Sequence, residues 1–149
     1  SGRVRKARRL LGRPYTVHET IQEGAGRGQE IGFPTLNFPL RHTLHPRKGV
    51  YLVWLGSQER VPSLANFGYH PTVGRSEEPL LEVHTLDPPP DLSAGDSTHV
   101  YFERFLREEK SFDSVDSLTE QIERDVETAR NAFTELEPPE PWMLGEGIR

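Results

Sequence analysis

Apolar positions along this chain change period twice. Over 3–11 they fall at helical spacing (Val4, Ala7, Leu10, Leu11), and Gly12-Arg13-Pro14 stops the pattern. Over 15–22 they alternate, with Tyr15, Val17 and Ile21 on one side, which predicts a strand. Thr35 to Phe38 reads as a short extended piece. From Gly49 to Leu55 both alternating sets are apolar, Val50, Leu52 and Trp54 against Tyr51, Val53 and Leu55, as in a buried central strand. Further strands are predicted over 60–67, 80–86 and 98–105, with a turn over 66–72. Pro62 puts the start of its strand at an edge or a bulge. Pro88, Pro89 and Pro90 cannot donate to a ladder and mark a connection. From about residue 114 the period becomes helical, and Val115, Leu118, Ile122, Val126, Ala129 and Phe133 make one core-facing stripe. Ser117 and Glu120 have capping-box spacing, and Pro138, Pro139 and Pro141 end the helix.

Six short strands with Gly/Pro turns, followed by one long helix, predict a mainly β fold. Closure of the strands into an antiparallel barrel would remove exposed edges. The chain has 149 residues, the length of one domain. Its organisation reads as a linker or short helix over 1–12, a domain over 13–136 and a tail over 137–149. No cysteine is present, which excludes disulfides and thiolate metal sites and fits a cytoplasmic protein. No apolar run is long enough to span a membrane. Net charge is −5, with most of the acid in the C-terminal third, which argues against a nucleic-acid partner. Basic residues cluster only at Arg3, Arg5, Lys6, Arg8, Arg9 and Arg13, as at a solvated helix end or an interdomain contact. The histidines show no zinc-ligand spacing.

The stretch with the most chemical content is 24–38. Gly24, Gly26, Gly28 and Gly32 lack Cβ atoms and would let backbone N–H groups approach phosphate, with Arg27 among them adding charge. No Gly-Lys-Ser/Thr follows, so this is not a Walker A loop. After Pro34, Thr35 and Asn37 are two residues apart, so an extended backbone turns both side chains the same way. A hydroxyl and an amide carbonyl suit a Mg²⁺ that arrives on a nucleotide, because the phosphates supply the charge. A proline turn with Asn37 capping backbone groups would use the same residues. Glu82 stands between Leu81 and Val83 in an apolar strand, either as a solvent-facing residue or as a functional carboxylate.

In their order and spacing these residues resemble the riboflavin kinase module, the C-terminal domain of bacterial bifunctional riboflavin kinase/FAD synthetases. The likeness runs through Gly24-Ala25-Gly26-Arg27-Gly28, Gly32-Phe33-Pro34-Thr35-Leu36-Asn37, Gly49-Val50-Tyr51 and Asn66-Phe67-Gly68 with Pro71-Thr72. It continues through Leu81-Glu82-Val83-His84, Leu106-Arg107, Phe112-Asp113-Ser114 and Gln121-Ile122 with Asp125 and Ala129-Arg130. The family's usual Asp-Leu-Tyr-Gly is replaced here by Asp91-Leu92-Ser93-Ala94-Gly95, and a glycine common in the family is Glu19.

The resemblance implies a six-stranded antiparallel Greek-key barrel with a long C-terminal α-helix. It implies ATP-dependent phosphorylation of riboflavin at its 5′-hydroxyl, giving FMN and ADP, with Mg²⁺ accompanying ATP. Glu82 would be the general base. Thr35 and Asn37 would hold the metal, and Gly24, Gly26, Arg27, Gly28, Gly32, Pro34 and Thr35 the nucleotide. Arg107 would help hold the flavin side, with Phe112 near the flavin or anchoring the helix. An N-terminal FAD synthetase (adenylyltransferase) domain would be the partner in a full-length protein. The alternative is a non-catalytic flavin- or nucleotide-binding β-barrel module, and an oligonucleotide-binding barrel fits the acidic charge least.

Overall fold

The structure is a computed structural model that describes residues 15–23, 35–40, 45–57, 59–72, 75–86 and 91–138. The helix expected over 3–11, most of the glycine-rich stretch including Pro34, and the tail from 139 lie outside the described residues.

Six strands form one antiparallel sheet: β1 Tyr15–Thr20, β2 Leu36–Pro39, β3 Gly49–Leu55, β4 Val61–Thr72, β5 Arg75–Thr85 and β6 Ser97–Arg107. One helix, α1, follows at Val115–Phe133. The strand order is β1-β6-β3-β4-β5-β2. The β3-β4-β5 meander is joined by β6, which returns beside β3, giving the 4-1-2-3 order of a Greek key. A backbone bridge between Gln22 and Asn37 brings the two ends of the sheet together and nearly closes the barrel.

β3 is buried along its whole length and lies between β4 and β6, as its doubly apolar pattern requires. Its two side-chain sets feed two cores. Tyr51, Val53 and Leu55 point into the barrel and meet Phe38, Phe67 and Phe102. Val50, Leu52 and Trp54 point outward and pack with Leu64, Tyr101, Ala129 and Phe133, so α1 covers part of the outer face. The Trp54 and Phe133 rings meet edge-on at 4.8 Å, and the indole N–H donates to Glu103 at 3.2 Å. Burial also raises the phenol pKa of Tyr15 and of Tyr51 to about 12, in Tyr51 against the lowering effect of nearby Arg47.

Three local expectations are corrected. Residues 66–72 are strand, not turn, because they pair with β5 residues that start at Arg75 rather than Leu80. Pro71 is tolerated because the pairing skips between His70 and Thr72. Pro62 lies just beyond the last β4–β5 pair, Ser63 with Thr85, so its missing N–H breaks no rung there. The helix starts one turn before the expected box: Ser114 is the N-cap, and its hydroxyl accepts from the Ser117 backbone N–H at 3.1 Å. The apolar stripe faces the core only in its second half. Val115 is exposed, whereas Gln121 and Asp125 are buried with Ala129 and Phe133.

Gly49 opens β3 at φ +150°, and a Cβ there would lie 2.6 Å from both the Arg107 carbonyl oxygen and the Phe105 ring. Both neighbours are held by the β3–β6 pairing. Gly49→Ala is therefore expected to destabilise the fold by about 2 kcal/mol, read from the urea midpoint. An unchanged midpoint would show that the β3–β6 junction yields freely.

Candidate active site

The polar residues of interest fall on one row that crosses the sheet. Asn37 of β2 pairs with Glu82 of β5, Glu82 with Asn66 of β4, Asn66 with Val50 of β3, and Val50 with Arg107 of β6. The alternation of each strand sets the side on which these residues lie. Leu36 and Phe38 pack inward around Asn37, Leu81 and Val83 around Glu82, and Ala65 and Phe67 around Asn66. Asn37, Glu82 and Asn66 therefore lie on the outer face, beside the patch that α1 covers. With strands about 4.8 Å apart, neighbouring members of the row are within side-chain reach.

Asn37 is buried, and its backbone carbonyl accepts from Gln22 N–H at 2.7 Å. That bond fixes β2 at the barrel seam, where Thr35 precedes it half-buried. Thr35 and Asn37 offer two neutral oxygens. Among the described residues no cluster of three His, Cys, Asp or Glu side chains could hold a metal by itself. Such a donor set fits Mg²⁺ bound through nucleotide phosphates, with few protein ligands.

Glu82 is half-buried between the two asparagines. Asn66 presents an anomaly: its Oδ1 is sealed from solvent and has no hydrogen-bond partner among the described residues. An orphaned buried carbonyl costs about 1–3 kcal/mol.

The far end of the row is tied to α1. Arg107 reaches Asp125 from Nε at 3.0 and 3.2 Å and from Nη2 at 2.7 Å, and donates from Nη1 to the Glu108 carbonyl at 2.8 Å. Gln121 Nε2 donates to Asp125 at 3.0 Å, and Lys110 donates to Gln121 Oε1 at 3.2 Å. The Arg107 and Asp125 side chains are only 19% and 9% exposed, so this is a largely buried, fork-on-fork pair. It fixes the loop 108–114 against the helix and explains why Gln121 and Asp125 displace apolar residues from the buried face. Glu109 in that loop lies against Gly68, where a Cβ would come within 2.0 Å of its carboxylate, and Phe112 is half-buried farther on.

Reasoning from sequence named Asn37, Glu82 and Arg107, and the register places all three on one row. It did not single out Asn66, Gln121 or Asp125 as site residues. Two polar side chains four apart beside an apolar stripe were the available signal for the last two. The loop 91–95 is an exposed turn held by Ser93 N–H to Asp96 Oδ2 at 3.0 Å and Gly95 N–H to the Ile21 carbonyl at 2.9 Å. Gly95 has φ +100° and nothing near its missing Cβ. No described helix is long and apolar enough to cross a membrane.

The fold is a nearly closed Greek-key β-barrel with a polar row on its outer face and a helix clasped to one end. A family model described as "Flavokinase: Riboflavin kinase" matches residues 11–133. The chain belongs to the riboflavin kinase family. It is 42% identical over 134 residues to a bifunctional riboflavin kinase/FMN adenylyltransferase of Escherichia coli K12, covering 89% of this chain and 42% of that protein. The chain thus spans less than half the length of that relative. Among solved structures, one described as a macrolide-efflux protein from Streptococcus pneumoniae superposes with TM-score 0.78 at 35% identity, over 88% of this chain and 43% of the other. Riboflavin kinase from Trypanosoma brucei superposes with TM-score 0.59 at 20% identity, over 83% and 82%, a likeness of fold.

Proposed function

We propose that this chain transfers the γ-phosphoryl group of ATP to the 5′-hydroxyl of riboflavin, giving FMN and ADP. The observation that carries the reading is the pairing of Asn37 with Glu82 on one face, which sets a carboxylate one strand away from the Asn37 amide. Phosphoryl transfer rests on positioning and charge stabilisation, and an alcohol nucleophile needs an acceptor for its proton. Glu82 takes that proton as general base. Thr35 and Asn37 hold Mg²⁺ on the nucleotide, and the metal offsets charge on the phosphates. Gly24, Gly26, Arg27, Gly28, Gly32 and Pro34 bind the nucleotide. Arg107 serves the flavin end by fixing the loop 108–114 through Asp125, and Phe112 lies in that loop. A full-length protein joins this module to an adenylyltransferase domain and works in the cytoplasm.

The test is FMN formation from riboflavin, ATP and Mg²⁺, separated by chromatography and detected by fluorescence. Turnover that requires all three supports the proposal. A folded chain that binds riboflavin but forms no FMN would make it a binding module.

A further inference from the structure

We propose that Asn66 is a substrate-specificity residue whose side-chain amide hydrogen-bonds the 3′- or 4′-hydroxyl of the ribityl chain. The inference rests on the kinase reading above, because it takes Glu82 as the contact of the 5′-hydroxyl. Two observations carry it. Asn66 is the register neighbour of Glu82 on the side away from Asn37, one strand nearer the Arg107–Asp125 clasp. Its Oδ1 is buried with no partner among the described residues.

The row has a chemical polarity. On the kinase reading its Asn37 end takes the nucleotide, and its Arg107 end lies at the helix and the loop 108–114. A polyol that places its terminal hydroxyl on Glu82 and its ring system toward the helix must pass over the intervening strand. The first outward side chain on that path is Asn66, about 4.8 Å along the sheet. The next is Val50, which is packed in the outer core and offers no polar group. Asn66 is therefore the one polar side chain on this row between Glu82 and Arg107.

A carboxamide suits the task because it both accepts from a hydroxyl and donates to one. Asn66 as a whole is only half-buried, and the χ2 torsion of asparagine is soft, so a rotation brings its oxygen to the open side. Buried polar groups without partners are rare, and a bound ligand is one recognised reason for them.

The experiment titrates flavin fluorescence in the presence of ADP and Mg²⁺, with riboflavin, 4′-deoxyriboflavin and 3′-deoxyriboflavin as probes. Asn66→Ala is expected to weaken riboflavin binding about 10-fold, the strength of one neutral hydrogen bond. One of the two deoxy analogues should bind parent and variant equally, because the lost hydroxyl and the lost amide are the same contact. Asn66→Ser, which keeps a hydroxyl in place of the amide, should recover part of the loss, and the KM for ATP should stay unchanged. Equal 10-fold losses for all three flavins would overturn the proposal, as would a change confined to ATP. If Asn66→Ala does not fold, the Asn66→Ser variant decides on the same criterion. Binding is read without turnover, so a failure of Glu82 as base would show separately, as retained FMN formation by Glu82→Gln.

Discussion

Replacing Glu82 with glutamine is expected to lower the rate of FMN formation at least ~100-fold, with thermal unfolding almost unchanged. Glutamine has nearly the same shape as glutamate and retains a carbonyl oxygen, so packing against the Asn37 and Asn66 rungs survives. What disappears is the ability to accept a proton from the 5′-hydroxyl as the new O–P bond forms. Because the loss lies in the chemical step, it should fall on kcat, with KM for riboflavin and for ATP moving little. Glu82→Ala should show the same loss with slightly weaker folding. Full turnover by a folded Glu82→Gln protein would remove this residue from catalysis and move the proton acceptor elsewhere on the outer face.

Breaking the clasp at the other end of the row should act differently. Asp125→Ala leaves a guanidinium that is 19% exposed without its forked acceptor, and the Gln121 Nε2 without its acceptor. Loss of one member of a largely buried pair costs about 3 kcal/mol. For a domain of this size that is a fall of roughly 10 °C in Tm. The same change frees the loop 108–114 from α1, so KM for riboflavin should rise while KM for ATP holds. Asp125→Asn keeps one acceptor and should lose less of both. Arg124→Ala is the matched control: its pair with Glu120 is 67% and 69% exposed, and an ion pair in water contributes little. Equal Tm values for Asp125→Ala and Arg124→Ala would show that the clasp is not what holds the helix to β6.

These two residues also show what reading the sequence can place and what it cannot. Glu82 was visible because a carboxylate between Leu81 and Val83 interrupts an apolar strand, and alternation assigns it a face. Asp125 was not visible as a site residue, because its partner is eighteen positions earlier on another element. The helix stripe misled for the same reason. Apolar spacing alone put Val115 and Leu118 toward the core, but the clasp buries Gln121 and Asp125 instead and leaves Val115 in water. The turn expected over 66–72 came from local glycine, asparagine and proline preferences. Six pairings with β5, over Asn66 to His70 and at Thr72, outweighed them, together with the three that precede them at Ser63 to Ala65.

The sequence by itself determined the periods: six extended pieces, one long helix, a central strand apolar on both faces, and the glycine-rich run ahead of Thr35 and Asn37. These are local consequences of side-chain alternation and backbone freedom, which need no knowledge of neighbours. Only the tertiary structure decided the register. Pairing Asn37 with Glu82 and Glu82 with Asn66 is a choice among many possible offsets, and a slip of one residue would send each side chain to the opposite face. That choice is made by the inward packing of Phe38, Leu81 and Phe67 in one shared core, and the polar row on the outside is its consequence.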